Sequence, residues 1–388
     1  MIALTSLRGA AQAASDWPAQ ADLASVATEL GRRPPLVAAA DCRSLRDRLT
    51  EVAAGRGFLV QAGDCAELFD EVSAHTTTRK AAQLAELADL VEARSGLPAV
   101  SVGRIAGQFA KPRSHQTETG PGDLELPVYR GDAVNGAAAT PAARRPDPRR
   151  MLTAYDKSAV VLGHLAGSYP TVYASHEALL LPYETALLRT DAATGSRYGS
   201  SAHLLWVGER TRQPDGPWVE LLAEVANPVA VKLGPTATPA DVTALLRRLN
   251  PAGEPGRLVF IARIGADRVA DVLPDLVAAA GTAQPVWICD PMHGNTVRHP
   301  DGRKTRALAD ILADVSGFVR VLRGAGGHPG GIHLETSPDD VTECVGSRAD
   351  IAGASLPRYW TGCDPRLNPG QARAVVAAFV EALDSCSG

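Results

Sequence analysis

Short apolar runs alternate with helical segments along most of the chain, and this alternation constrains the fold more than any other feature. The apolar runs are unbroken, as in GFLVQAG at 57–63, LPAVSVG at 97–103 and RLVFIAR at 257–263. Unbroken runs of this length are typical of strands buried on both faces, and strands that alternate with helices predict a parallel sheet. Right-handed crossovers allow such a sheet to be a closed barrel or a doubly wound open sheet.

Polar residues follow nearly every predicted strand, and this placement separates the two folds. In a barrel the carboxyl ends of all strands meet at one mouth, whereas an open sheet builds its site at one switch point. The sequence therefore favours an α/β fold of the (β/α)8 TIM-barrel type. We predict a catalytic barrel over residues 51–388 and a short N-terminal extension, helical and irregular, over residues 1–50. Residues 114–150, rich in Gly, Pro and Arg, are predicted to form a long functional loop.

Composition excludes several classes of protein. The formal net charge of −4 is spread over 388 residues without a basic stripe, which argues against a nucleic-acid partner. The sequence contains no apolar run of about 18 residues and begins without a signal-peptide pattern, so we expect a cytoplasmic protein with no membrane segment. The six cysteines are irregularly spaced, which predicts reduced thiols rather than a disulfide framework or a paired zinc knuckle.

Positively charged side chains at strand ends form the first set of candidate site residues: Arg104, Lys111, Arg113, Arg210, Lys232 and Arg263. Several come directly after a buried strand, where an uncompensated charge is costly. Arg and Lys suit phosphate and carboxylate oxygens, so the set predicts a substrate with more than one anionic group. The alternative is internal salt bridges with Asp64, Glu177 and Glu209.

A second set, Cys65, His293, Glu335 and Asp364, offers one sulfur, one imidazole nitrogen and two carboxylates. These donors suit a divalent metal ion but leave its identity open. His328 and His333 are rival ligands; if HPGGIHLE is a strand, His333 and Glu335 share one face. The other cysteines, at 42, 289, 344 and 386, are predicted to be inert, since a lone cysteine is more often structural.

Several long motifs occur in one order over roughly residues 30 to 384: QAGDCAE, RIAGQFAKPRS, ASHEALLLPYE, SAHLLWVGERTRQPDG, ANPVAVKLGP, DPMHGNT, HPGGIHLE and CDPRLN. Together they resemble the class II, or plant-like, 3-deoxy-D-arabino-heptulosonate 7-phosphate (DAHP) synthases. The resemblance implies a TIM-barrel transferase that condenses phosphoenolpyruvate with D-erythrose 4-phosphate and releases phosphate. This reaction opens the shikimate pathway to the aromatic amino acids.

The resemblance also implies roles for single residues. It makes Cys65, His293, Glu335 and Asp364 the ligands of a divalent metal ion, with manganese expected first and cobalt or another divalent ion as alternatives. It assigns the phosphoenolpyruvate site to Arg104, Glu209, Arg210, Lys232 and Arg263, and Trp206 is expected among the substrate-binding residues. The route to the aldose and its phosphate is assigned to Lys111, Arg113 and Ser114. Four residues are expected to act in catalysis: Lys111, Glu177, Glu209 and Lys232.

Two departures from the family pattern concern regulation. The segment between YRGD (129–132) and YASHEALL (173–180) is too short for the helical pair that builds an aromatic-amino-acid site in many members of the family. The N-terminal extension is also shorter than in longer relatives. We therefore expect weak or absent feedback inhibition by Trp, Phe and Tyr, as suits an enzyme of specialised metabolism. A homo-oligomer, dimeric or larger, is also expected, and chorismate mutase is a candidate partner.

Four alternatives remain open at the level of sequence. The chain is also compatible with an aminoDAHP synthase of an aminoshikimate pathway that uses a nitrogen-bearing co-substrate. A catalytically silent barrel that acts as a regulatory partner is a second hypothesis. A metal-dependent aldolase for another phosphosugar is a third. Finally, Cys363, beside Asp364, could form a reversible disulfide with Cys65 and so remove a metal ligand.

Overall fold

The structure is a computed structural model that describes residues 20–113, 115–167 and 171–385. Eight parallel strands close into a barrel, in which each strand pairs with the next along the chain and the last pairs with the first. They are β1 (Phe58–Gly63), β2 (Ala99–Arg104), β3 (Tyr173–Glu177), β4 (Leu204–Val207), β5 (Val229–Leu233), β6 (Leu258–Ala262), β7 (Val286–Cys289) and β8 (Pro329–Glu335). The register of the closing pair sets Gln61 opposite His333. The prediction of a TIM barrel is confirmed.

Helices pack around the barrel and across its amino-terminal end. They are α1 (Gln20–Arg32), α2 (Ala39–Ala53), α3 (Ala74–Ser95), α4 (Pro141–Arg144), α5 (Arg150–Leu165), α6 (Leu181–Ala186), α7 (Pro217–Glu224), α8 (Pro239–Leu249), α9 (Val269–Ala280), α10 (Leu308–Gly324) and α11 (Pro369–Ser385). Local chemistry sets several of their ends. Ser73 caps the start of α3 through the Thr76 amide, and Gly96 ends it in the left-handed region. A capping box of Thr238 and Asp241 begins α8.

Successive strand residues alternate between the helical layer and the barrel interior. In β1, Phe58 and Val60 pack in the cluster that joins the strands to the helices. Leu59, between them, packs inside the barrel against Leu45 and Leu49 of α2. Helix α2 therefore closes the amino-terminal end of the barrel, and truncation of either leucine to Ala should cost about 2–5 kcal/mol.

The N-terminal extension predicted over residues 1–50 falls partly on residues 1–19, which lie outside the described ranges. Helix α2 crosses the predicted boundary and continues to Ala53. Its buried leucines belong to the barrel core, so this part of the extension is a structural element of the barrel.

Two antiparallel hairpins stand near the carboxyl ends of the strands. The first joins Thr117–Thr119 to Glu125–Pro127, within the predicted functional loop, and the second joins Thr296–Arg298 to Lys304–Arg306. A third hairpin joins Leu188–Thr190 to Arg197–Gly199.

None of the helices in the described ranges combines the length and apolar character that a membrane crossing requires.

Candidate active site

A cavity of about 730 Å³ opens at the carboxyl ends of the barrel strands. Its walls include most of the residues that the sequence singled out: Arg104, Lys111, Arg113, Glu177, Trp206, Glu209, Arg210, Lys232, Arg263, His293 and Asp364. The walls come from different strands and from both hairpins near the mouth. The polar strand endings thus converge on one site, as the barrel prediction requires. Ser114, a predicted substrate residue, lies outside the described residues.

The four predicted metal ligands come together beside this cavity. Donor atoms of His293, Glu335 and Asp364 lie within 4.8 Å of one another. A second group within the same limit contains Cys65, Cys363 and Asp364. The Sγ atom of Cys65 lies 3.5 Å from Oδ2 of Asp364. Asp364 therefore links the thiol side of the cluster to the imidazole side, and the donors comprise sulfur, nitrogen and two carboxylates.

His293 is oriented by a carboxylate behind it. Its Nδ1 atom lies 2.7 Å from Oδ2 of Asp290, while Nε2 lies 3.2 Å from Oε1 of Glu335. Asp290 also accepts the backbone N–H of His293 at 3.2 Å. A proton on Nδ1 shared with Asp290 leaves the Nε2 lone pair for a metal ion; histidine ligands usually donate their other ring N–H to a carboxylate in this way.

Glu335 ends β8 and is fully buried, so its negative charge needs compensation. Arg104 and Arg306 supply two contacts of 2.9 Å, one to each carboxylate oxygen. Burial by itself would raise the pKa of Glu335, but His293, Lys111 and the two arginines hold it well below its ordinary value. The carboxylate is therefore ionised and available to a cation.

Lys111 sits between two predicted ligands. Its Nζ atom lies 3.6 Å from Oε1 of Glu335 and 3.6 Å from Oδ2 of Asp364. Burial opposes its charge, yet Cys65 and these two carboxylates raise the pKa of Lys111 well above its ordinary value. Burial also raises the pKa of the Cys65 thiol. Since a metal ion takes a cysteine as thiolate, any ion bound at Cys65 would displace the thiol proton.

Arg104, Lys232 and Trp206 form the floor of the site. The guanidinium of Arg104 lies 5.3 Å and the Nζ atom of Lys232 5.9 Å from the Trp206 ring centroid. Lys232 also contacts Oδ2 of Asp290 at 3.0 Å. Burial lowers the pKa of Lys232 to about 8, against the attraction of Asp290. Two cations, buried beside an aromatic face, make this floor suited to an anion.

The remaining predicted residues occupy the walls and the rim. Glu209 accepts the Gly234 N–H at 2.6 Å and is paired with Arg212, so it anchors the loop after β5 as well as lining the cavity. Arg263 donates to the His293 carbonyl at 3.3 Å. Arg113 approaches Glu118 of the first hairpin at 3.7 Å.

Glu177 is the last residue of β3, and it lines the cavity. Its Oε1 atom is buried without a hydrogen-bond partner in the described structure. The Glu177 backbone N–H donates to Gln108 at 3.0 Å, which ties β3 to the loop after β2. An unpaired buried carboxylate oxygen at the cavity wall is a group that a substrate hydroxyl or a water molecule could satisfy.

Several residues of the site were missed by sequence reasoning. The second hairpin contributes Arg298, Lys304 and Arg306. Its strands lack an apolar run, so the sequence pattern did not indicate a strand end there. The Nζ atom of Lys304 lies 2.5 Å from Oδ1 of Asp364. Asp290, in contrast, directly follows the apolar run VWIC and precedes His293 by three residues. This position at a predicted strand end indicates a site residue.

The structure also bears on the rival interpretations. His333 contacts Gln61 and Arg104, and His328 contacts the Gly57 carbonyl; neither belongs to the two donor groups. The acids beside Arg104, Lys111 and Lys232 are Glu335, Asp364 and Asp290, rather than the three carboxylates considered from sequence. Cys42, Cys289 and Cys344 are buried free thiols, and Cys386 lies outside the described residues.

Comparison with known families matches most of the chain. The model of the class-II DAHP synthetase family matches residues 4–169 and 167–380. The chain is 42% identical over 412 residues to phospho-2-dehydro-3-deoxyheptonate aldolase of Streptomyces coelicolor, an alignment that covers 92% of this chain and 91% of the relative. It is 44% identical over 374 residues to a probable phospho-2-dehydro-3-deoxyheptonate aldolase of Pseudomonas fluorescens, covering 94% and 93%.

A solved structure supports the fold at lower identity. The phospho-2-dehydro-3-deoxyheptonate aldolase of Francisella tularensis superposes with a TM-score of 0.53 at 14% identity, covering 97% of this chain and 96% of the other. At this identity the likeness concerns the fold alone. The resemblance noted from the motifs is thus confirmed by the family model and by the two curated relatives.

Proposed function

Because the chain belongs to the class-II DAHP synthetase family and is therefore an enzyme of the transferase type, we propose that it condenses phosphoenolpyruvate with D-erythrose 4-phosphate in a metal-dependent reaction. The products are DAHP and inorganic phosphate. The observation that carries the proposal is the joint presence, around one cavity, of a metal-donor cluster and a group of buried or half-buried cations.

The donor cluster fits a divalent metal ion. Asp290 holds Nδ1 of His293, which leaves Nε2 as a donor, and the buried Glu335 is ionised. Cys65, His293, Glu335 and Asp364 would hold the ion, manganese being our first expectation and cobalt or another divalent ion the alternatives. When bound, such an ion acts as a Lewis acid on the aldehyde oxygen.

The floor of the cavity suits phosphoenolpyruvate. The phosphate and carboxylate of phosphoenolpyruvate are anionic, and the cavity is lined by the cations of Arg104, Lys232 and Arg263. Trp206, a wall residue that is itself buried, lies beside two of these cations and supports them from behind. Arg210 and Glu209, on the loop after β4, complete the assigned set.

The rim of the cavity suits the aldose phosphate. Lys111 and Arg113 follow β2 and line the cavity above Arg104, with Ser114 assigned to the same group by resemblance. Bringing two phosphates and a carboxylate together is electrostatically costly, and these cations offset that repulsion while they fix the approach of the reacting atoms. Glu177, at the end of the neighbouring strand β3, lines the same cavity and is assigned to order the pocket.

The reaction proposed for this site forms a C–C bond and a C–O bond to water, and it breaks the C–O bond to phosphate. C3 of phosphoenolpyruvate attacks the aldehyde carbon of the aldose, and the aldehyde oxygen becomes a hydroxyl. Water adds at C2 of the former phosphoenolpyruvate and loses one proton, which balances the proton that the aldehyde oxygen takes up. The C2–O bond to phosphate then breaks as the new C2 hydroxyl becomes a carbonyl, and inorganic phosphate leaves with the second proton. Lys111, held near Glu335 and Asp364, stabilises negative charge on the aldehyde oxygen, while Lys232 serves the phosphoenolpyruvate end.

The first test follows the loss of phosphoenolpyruvate absorbance with purified protein, erythrose 4-phosphate and manganese. We expect consumption that stops after chelation and in the Cys65→Ala variant. Cys289→Ala, which removes a buried thiol of β7 outside the donor groups, is the matched control and should remain active. No consumption by the metal-loaded protein would contradict the proposal.

Mass spectrometry of the product completes this test, because it distinguishes the remaining candidates. A product of DAHP mass supports the proposal. A nitrogen-containing product from an amino aldose would indicate the aminoDAHP reaction, and condensation with another phosphosugar would indicate a different aldolase. Phosphoenolpyruvate binding without any turnover would favour a silent regulatory barrel.

We further propose that feedback control is weak, as expected from the short segment before β3. Its described residues include the four-residue α4 and the longer α5, with turns and irregular structure around them. Micromolar Trp, Phe or Tyr should therefore leave the rate unchanged, and clear inhibition by any of them would overturn this proposal. A homo-oligomer and association with chorismate mutase are proposals of the same kind, to be tested by light scattering with and without the added mutase.

A further inference from the structure

A chain of hydrogen bonds inside the barrel connects the side chain of Arg104 to the carbonyl of the preceding residue, Gly103. The Nη1 atom of Arg104 lies 2.5 Å from Nε2 of His333, and Nδ1 of His333 lies 2.7 Å from Oε1 of Gln61. Gln61 donates through Nε2 to the Ser175 hydroxyl at 2.9 Å. Ser175 donates to the Gly103 carbonyl at 2.8 Å, and Gly103 precedes Arg104. The circuit spans β2, β8, β1 and β3, which are neighbours in the barrel.

The two ends of this circuit fix the direction of every bond in it. A guanidinium can only donate, so Nε2 of His333 must be the acceptor and Nδ1 must carry the proton. A backbone carbonyl can only accept, so Ser175 donates to it and must accept from the Gln61 amide. The carboxamide oxygen of Gln61 is then left to accept from His333. Each buried group has its partner, and the pattern admits one tautomer of His333 and one orientation of Gln61.

The same circuit completes the fixation of Arg104. Its Nε donates to the Asp64 carbonyl at 3.0 Å, and its Nη2 donates to Glu335 at 2.9 Å and to the Cys65 carbonyl at 3.4 Å. Together with His333, these contacts engage four of the five N–H groups of a guanidinium. The remaining N–H is on Nη1, the nitrogen that His333 holds. Because Arg104 lines the cavity, this N–H is the one available to a substrate oxygen.

We propose that His333, set in one tautomer by Gln61 and Ser175, is a positioning residue that orients Nη1 of Arg104 toward an anionic group of phosphoenolpyruvate. The proposal rests on the proposed function, since it presumes that phosphoenolpyruvate binds at Arg104. His333 does not contact the substrate in this scheme. It acts through the arginine, and it packs edge-on against Trp206 with ring centroids 5.5 Å apart.

Calorimetric titration of the manganese-loaded protein with phosphoenolpyruvate, without aldose, tests the proposal. His333→Phe keeps a ring beside Trp206 but removes the acceptor for Arg104, and we expect its dissociation constant to rise roughly 10- to 100-fold. In His333→Gln the amide oxygen can accept from Arg104, so affinity should stay within about fivefold of wild type. In turnover, His333→Phe should raise the KM for phosphoenolpyruvate far more than it changes kcat or the KM for the aldose.

Two further variants keep the test decisive. Ser175→Ala removes the acceptor of the Gln61 amide and should weaken phosphoenolpyruvate binding roughly 3- to 10-fold; it decides the matter alone if His333→Phe does not fold. His328→Phe makes the same exchange at the other end of β8, outside the site, and should bind normally.

The outcomes separate the two levels of inference. No binding of phosphoenolpyruvate by the wild-type protein refutes the proposed function. Wild-type binding with unchanged affinity in folded His333→Phe and in Ser175→Ala refutes only the positioning role. Equal losses in His333→Phe and His333→Gln would also refute it, because they would assign the effect to packing rather than to the acceptor.

Discussion

The Nδ1 atom of His293 lies 2.7 Å from the carboxylate of Asp290, and this contact turns Nε2 of the same ring toward Glu335. Asp290 is fully buried and also contacts Lys232 at 3.0 Å. One carboxylate thus orients a proposed metal ligand and pairs with a proposed phosphoenolpyruvate ligand. The two halves of the site are coupled through it.

Replacing Asp290 by Asn should weaken metal binding. The amide no longer fixes a proton on Nδ1 of His293, so we expect manganese affinity to fall roughly 10- to 100-fold. Isothermal titration with Mn²⁺ measures this directly, without reliance on turnover. Asp271→Asn, on the exposed face of α9, is the matched control. Equal manganese affinities for wild type and Asp290→Asn would show that the contact does not support the metal.

Lys111 and Lys304 both contact Asp364, but they differ in burial. Replacing each in turn therefore compares a buried with an exposed cation beside the same predicted metal ligand. The side chain of Lys111 is 8% exposed and that of Lys304 is 43% exposed. Removing a buried cation beside the donor cluster should strengthen metal binding several-fold, since it removes repulsion of the ion. The same change should lower kcat roughly 100-fold, because charge on the aldehyde oxygen loses a stabilising partner.

Lys111→Met should therefore show tighter manganese binding together with a lower kcat. Lys304→Met should show smaller changes in both quantities, because water screens the exposed ammonium group. Steady-state kinetics and manganese titration on the two variants provide the comparison. A Lys111→Met enzyme with normal kcat would remove Lys111 from the proposed mechanism.

The barrel and the grouping of most candidate site residues at its mouth could be predicted from sequence, because both depend on local patterns. Unbroken apolar runs mark buried strands, and the polar residue after each run marks the mouth. The alternation of side chains along a strand is another local pattern, and it predicted that His333 and Glu335 share one face of β8. Both side chains are buried within the barrel. Motif resemblance then supplied the ligand roles.

The pairing between buried groups could not be predicted in this way. Arg306 is fully buried and contacts Glu335 at 2.9 Å, yet it comes from a hairpin without an apolar run. Glu209 was expected to serve the substrate, and its carboxylate also accepts from Gly234 and Thr236. Such contacts join residues that are distant in sequence, and periodicity carries no information on which donor meets which acceptor.

Asp314 of α10 should make the stability of the protein depend on pH. Its carboxylate accepts from Asn295 at 2.9 Å, and burial raises its pKa to about 7 from 3.8. Since the folded state binds this proton more tightly than the unfolded state, the stabilisation is complete below about pH 4 and is lost as the pH rises through about 7. This side chain alone should therefore make the free energy of unfolding fall across that interval.

Asp314→Asn should remove this contribution, because the amide does not titrate. We expect the variant to lose less stability than wild type between about pH 5 and pH 8, by roughly 1–3 kcal/mol. Urea unfolding at both pH values measures the difference. Asp310→Asn, which alters the partly buried partner of Arg348 on the same helix, should leave the pH slope unchanged. Parallel slopes for wild type and Asp314→Asn would exclude a titration of Asp314 in this range.

The thiols of Cys65 and Cys363 lie within 4.8 Å of each other, and the second is partly accessible to solvent. Diamide can oxidise the pair: two thiols lose two protons and two electrons, an S–S bond forms, and diamide is reduced to its hydrazine. Because the disulfide removes Cys65 from the donor cluster, we expect loss of activity and of manganese affinity, both restored by dithiothreitol. Bound manganese should slow the inactivation, since it holds the Cys65 sulfur.

Cys363→Ser should remain active in diamide, because it lacks the second sulfur while Cys65 is intact. Cys344→Ala, which removes a buried thiol outside the cluster, should be inactivated like wild type. Thiol titration together with the activity assay follows both events in one sample. If wild type retains full activity after its accessible thiols are oxidised, or if Cys363→Ser is inactivated at the wild-type rate, the pair is not a redox switch. Either result would leave the metal role of Cys65 untouched, because the chelation and Cys65→Ala measurements test that role separately.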